Sequence, residues 1–87
     1  MNKFDIVKKA IDEWDPINLL SHAPEDEYDS EISDITRLIP TVKSVDELAQ
    51  IIHRIFVKWF GADATDAKEY SVDRCYPVAQ KIWRKLF

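Results

Sequence analysis

The chain has 87 residues, of which 46% are hydrophobic, with three Trp, three Tyr, four Phe and a single Gly. That is enough apolar surface for one compact domain, a chain this size burying about 60–65% of its unfolded surface. It is too little glycine for a turn-rich all-β fold, a Gly-rich phosphate loop or a dinucleotide fingerprint. The net charge of −4 disfavours nucleic acid as a partner, and the lone Cys75 excludes an intramolecular disulfide and a Cys-rich zinc motif.

No apolar run reaches the ~18 residues of a membrane span and no signal-peptide core follows the N-terminus, so a cytoplasmic protein without membrane contact is expected. The charge is unevenly spread. Residues 1–47 hold twelve acids and five bases, and residues 48–87 hold four acids and seven bases. This asymmetry lets the two halves attract each other within the fold, or steers a charged partner.

The first helix is predicted from Lys3 to about Trp14. Phe4, Val7, Ala10, Ile11 and Trp14 fall on one face, with Lys8, Lys9, Asp12 and Glu13 on the other. Asp15-Pro16 then ends it, because Pro lacks an amide hydrogen and pushes the preceding residue out of the α region. A second helix is predicted to begin at Pro24, a favoured first position, with Glu25, Asp26 and Glu27 complementing its dipole, and to end before Pro40. Its apolar stripe is Tyr28, Ile32, Ile35, Leu38 and Ile39.

The third helix has the clearest start. Ser44-Val45-Asp46-Glu47 reads as a capping box, in which Glu47 reaches back to the Ser44 amide. Val45, Leu48, Ile51, Ile52, Ile55, Phe56, Trp59 and Phe60 cover about half its circumference, which makes it the central helix. Gly61 suits a left-handed C-terminal position. Residues 62–70 read as a loop with room for one helical turn. A fourth helix follows, capped by Ser71, with Val72, Cys75, Tyr76, Val78, Ala79, Ile82, Trp83 and Leu86 inside. Pro77 predicts either a bend there or a start at Tyr76. The fold class is thus all-α, one four-helix domain over residues 1–87.

Glu31 falls inside the apolar stripe of the second helix, where a carboxylate requires a base or a shifted pKa. His53, Arg54 and Lys8 are the candidate partners. His22, His53 and Cys75 lie too far apart in sequence for a metal motif, and Cys75 points inward, so no metal, cofactor or catalytic residue is assigned. Trp14, Trp59 and Trp83 read as core residues, with Trp14, beside the break at Pro16, the best candidate for a partly exposed anchor. Arg74, Lys81 and Lys85, with Arg84 nearby, line an outer side of the fourth helix. Cations there stabilise a helix C-terminus or present a docking surface to an acidic protein.

Trp14-Asp15-Pro16-Ile17, Ala23-Pro24 and Asp26-Glu27-Tyr28-Asp29-Ser30-Glu31-Ile32, with the closing Cys75, Val78-Ala79, Ile82 and Leu86, resemble the YugE-like family of bacterial domains of unknown function. The resemblance spans essentially the whole chain. It implies a small all-helical cytoplasmic bacterial protein and supplies no activity to carry over. Size and charge are also similar to immunity-type proteins that neutralise toxins, an analogy at fold level alone.

The residues point to a non-enzymatic interaction module that meets a basic protein partner. Its expected binding residues are Trp14, Asp15, Pro16, Asp26, Glu27, Tyr28, Asp29 and Glu31, with Glu25 in the same acidic corner. The alternatives are a ligand-binding domain or enzyme with a pocket around Glu31, and an immunity-type or self-associating protein whose acidic half meets the basic fourth helix of a second copy.

Overall fold

The computed structural model describes residues 2–14, 28–61 and 70–87. They form four helices: α1 (Lys3–Trp14), α2 (Asp29–Leu38), α3 (Val45–Phe60) and α4 (Val72–Leu86), with a short 3₁₀ turn at Ile39–Thr41. The fold is the all-α four-helix domain expected from the sequence.

Local chemistry sets most of the helix ends. The Asn2 side chain accepts from the Asp5 amide (2.8 Å) and starts α1. At α3 the Ser44 hydroxyl accepts from the Glu47 amide (3.2 Å), as a capping box requires. The returning bond differs from the expected one, because Glu47 Oε2 accepts from the Lys43 amide (2.9 Å), one residue earlier than Ser44. Ser71 starts α4 by accepting from the Arg74 amide (3.4 Å). Gly61 closes α3 at φ +96° and ψ 149°. The positive φ was expected, but the ψ is extended rather than left-handed helical.

One boundary corrects the sequence reading. The helix that leads to Pro40 begins at Asp29, not Pro24, since Tyr28 sits outside it at φ −95° and ψ 4° without a side-chain cap; Pro24–Glu27 lie outside the described residues. The Tyr28 ring is instead drawn into the core. The α-helix ends at Leu38, before Pro40, as the sequence predicts. Pro40 takes an early position of the 3₁₀ segment that follows, where its missing amide hydrogen removes no bond, and Thr41 Oγ1 donates to the Leu38 carbonyl (2.7 Å). Another expectation is resolved at α4. The helix is continuous through Pro77, which is exposed, so a start at Tyr76 is not adopted.

The helices form a closed ring in which α1 packs on α2 and α4, and α3 packs on α2 and, most extensively, on α4. Val7, Ile11, Ile32, Ile35, Leu48, Ile52, Phe56, Cys75, Ala79 and Ile82 meet in one core. Fully burying one such aliphatic side chain is worth about 1.5–3 kcal/mol. Phe56 of α3 is the hub. It touches Trp14 edge-on (5.3 Å) and Tyr28 (6.0 Å), and stacks with Phe60 (5.7 Å) and Tyr70 (5.8 Å). Residues from every part of the described chain thus converge on α3. Val72 and Tyr76, expected inside α4, are exposed, because they lie at the first turn and the edge of its stripe.

Candidate functional site

Of the expected binding residues, Asp15, Pro16, Asp26 and Glu27, with Glu25, lie outside the described residues. The two aromatic flanks serve the core. Tyr28 is fully buried, edge-on to Phe56 and Phe60, and Trp14 is half-buried against Phe56. Neither is a free anchor.

Asp29 stands at the first turn of α2 and keeps 42% of its side chain exposed while accepting from Lys8 Nζ of α1 (2.9 Å). Lys8 also pairs with Asp12 one turn along α1 (3.3 Å). The bond to Asp29 is the main cause holding the Lys8 ammonium above its ordinary pKa; burial opposes it, and Asp12 adds to the rise.

Glu31 is buried at 3% exposure, as its wheel position predicts. Of the bases considered for it, Arg54 is exposed. His53 points its Nδ1 at the Tyr70 carbonyl (2.8 Å). A carbonyl only accepts, so that ring nitrogen carries a proton.

Tyr70 falls in the segment that the sequence marks as a loop, yet it is one of the most buried residues. Its hydroxyl donates to the Gly61 carbonyl (2.5 Å), and its own carbonyl accepts from His53 Nδ1 and from Cys75 Sγ (3.4 Å). Burial pushes the Cys75 thiol up to about 12, so at neutral pH it is a protonated core residue rather than a nucleophile.

The exposed tryptophan is Trp59, 48% accessible, and not Trp14. Its Nε1 donates to Asp34 Oδ2 of α2 (3.1 Å). Asp34 also pairs with Arg37 (3.2 Å) and Lys58 (3.8 Å), both largely exposed. The outer face of α2 is therefore rimmed by Asp29 toward α1 and Asp34 toward α3, with the Trp59 indole at its α3 edge. The helical wheel places Trp59 inside, but it gives an angle and not a depth, and Trp59 lies in the last turn of α3 with its indole at the surface.

Two adjoining depressions of about 290 Å³ each run between α1 and α4. They share Ala10, Glu13 and Lys81, and Lys81 Nζ bonds Glu13 Oε2 across them (3.4 Å). Lys9, Arg84 and Lys85 line one end, and Trp14 and Arg74 line the other. Glu31 lines neither. The stripe of Arg74, Lys81, Arg84 and Lys85 was legible from the sequence, whereas Lys9 and Glu13 read only as the polar face of the first helix.

Among the described residues no cluster of three or more His, Cys, Asp or Glu side chains is placed to hold a metal ion, and no helix is long and apolar enough to cross a membrane. No curated protein and no solved structure matches the chain. The sequence model of one family, described as a domain of unknown function, does match, over residues 6–84 and so through all four helices; the chain belongs to that family, DUF1871.

Proposed function

We propose that this domain is a bacterial, cytoplasmic, non-enzymatic interaction module that binds a protein with a basic surface through the outer face of α2. Bacterial origin and the YugE-like affinity follow the resemblance carried by Trp14-Asp15-Pro16-Ile17 and Asp26-Glu27-Tyr28-Asp29. The observation that carries the reading is Trp59, a large aromatic side chain left half in solvent beside Asp34, while Tyr28 is buried and Trp14 is half-buried against Phe56.

An indole with a carboxylate at its nitrogen offers apolar area and directed charge at one place, the combination that recurs at interface hot spots. Asp29 supports the same polarity. Its bond to Lys8 leaves it partly exposed, so it remains open to a cation from a partner. The sequence adds Glu25, Asp26 and Glu27 immediately before this face. Charge complementarity would speed encounter and fix orientation, and Trp59 would supply most of the affinity. The buried, protonated Cys75 and the His53 ring engaged with the backbone speak for binding rather than covalent chemistry.

Affinity capture with three baits tests this: wild type, Trp59→Ser, and the pair Asp29→Asn with Asp34→Asn, each checked for an unchanged melting temperature. A basic partner retained by wild type and lost by both folded variants is the expected result. Equal retention by all three removes the α2 face from the reading.

A further inference from the structure

The α1–α4 groove has the opposite polarity to the chain as a whole. Lys9, Arg74, Lys81, Arg84 and Lys85 face Glu13 and Asp73 along it, five cations against two carboxylates, in a protein of net charge −4. The cations are strung out rather than convergent. From Arg74 to Lys85 is eleven residues of helix, about 16 Å at 1.5 Å per residue. Between the charges the floor is apolar, with Ile6 and Ala10 at one end and Val78 and Trp14 at the other.

We propose that this groove binds an acidic amphipathic peptide segment of a partner protein. A small anion calls for donors gathered at one point, whereas cations spaced over three turns around an apolar floor match a segment with carboxylates on its edges and aliphatic side chains beneath. The exposed Glu13–Lys81 pair that divides the groove is the contact such a segment replaces, an incoming carboxylate taking the place of Glu13 on Lys81. Pro77 contributes to the same wall. It has no amide hydrogen for the Asp73 carbonyl, so that acceptor has no bond from position 77. The site is independent of the α2 face and carries the opposite charge.

The test uses the full chain and a 12-residue peptide of alternating Glu and Leu pairs, with a Gln-for-Glu peptide as control. Binding is measured by calorimetry at low and high salt and mapped by amide chemical shifts. The expected result is shifts centred on Lys9, Ala10, Lys81 and Lys85, an affinity at least tenfold weaker at high salt, and a similar loss in the exposed-site variant Arg84→Gln with Lys85→Gln at unchanged melting temperature. Equal binding of the Gln peptide, shifts centred elsewhere, or no binding overturns the proposal. Sedimentation at low salt decides one further occupant: a dimer that the same double variant dissociates assigns the groove to a second copy and also overturns it. Trp59→Ser should leave peptide binding intact, which separates this result from that of the α2 face.

Discussion

The Tyr70 hydroxyl donates to the Gly61 carbonyl (2.5 Å), joining the residue that ends α3 to the residue that precedes the cap of α4. This bond fixes the two ends of the intervening segment, while the ring behind it stacks on Phe56. Tyr70→Phe keeps the ring and removes only the bond. It should destabilise the domain by about 1–2 kcal/mol, because a carbonyl loses its buried donor, and lower the melting temperature by several degrees, at about 4–8 °C per kcal/mol for a domain of this size. Urea unfolding checks it, and an unchanged midpoint would place the hydroxyl in contact with water instead.

Gly61→Ala should cost about 1–3 kcal/mol through the backbone alone. A Cβ at Gly61 meets nothing within 4 Å, but φ +96° with an extended ψ is a region that L-residues avoid. Placing D-alanine at position 61 by chemical ligation should recover the loss, since its mirror-image preference suits positive φ. Failure to recover would mean that the cost is steric after all.

Alkaline pH should weaken the fold through Cys75. Its folded pKa of about 12 lies above the ordinary thiol value of 9.0 because burial disfavours the thiolate. The neutral thiol is thus the form the fold prefers. Its stability is complete below pH 9 and is lost as pH rises from 9 through 12, by on the order of 1 kcal/mol at pH 10. Lys8 acts in the same direction at higher pH: its raised pKa means that its contribution is present below 10.5 and lost above its folded value. Unfolding curves at pH 8, 9 and 10 should show a fall in stability for wild type that is markedly flatter in Cys75→Ala. Parallel slopes would remove Cys75 as the cause.

Phe56→Ala should cost about 3–5 kcal/mol, a large fraction of the stability of a small domain, because four rings lose their common neighbour. Phe56→Leu should cost less and leave a folded protein. The fluorescence of Trp14, packed edge-on to Phe56, should shift toward that of a solvated indole in the Ala variant.

How much of this was legible in the sequence depends on the range of the interaction concerned. The starts of α3 and α4 were readable because Ser44 and Ser71 act on amides three residues away, and the limits of α1 because its apolar spacing runs from Phe4 to Trp14. The start of α2 was not. Pro24 and the following acids are sound local signals, but Tyr28 sits outside the helix and is held by Phe56 and Phe60, distant in sequence. Tyr70 escaped notice for the same reason: it belongs to no periodic pattern, and its partners Phe56, Gly61 and Cys75 come from both flanking helices. The acidic corner was visible as composition, yet composition could not tell which aromatic residues would be left outside. That depended on Trp14 finding Phe56 while Trp59 met Asp34 at the surface.

The closed ring of helices also implies an order of assembly. α3 and α4 are adjacent in sequence and share the most extensive contact, so they can pair with less loop-closure entropy than a contact that spans the chain. The contact of α1 with α4 includes partners as distant in sequence as Glu13 and Lys81, 68 positions apart. Closing the ring therefore waits on a chain-spanning encounter, and the α1–α4 seam should be the first to part. Native-state hydrogen exchange should show amides of Lys8–Ile11 exchanging through a lower-energy opening than those of Ile52–Phe56. If so, the seam that holds the cationic groove is also the hinge along which the molecule breathes, and a ligand seated there would register as slower exchange in α1.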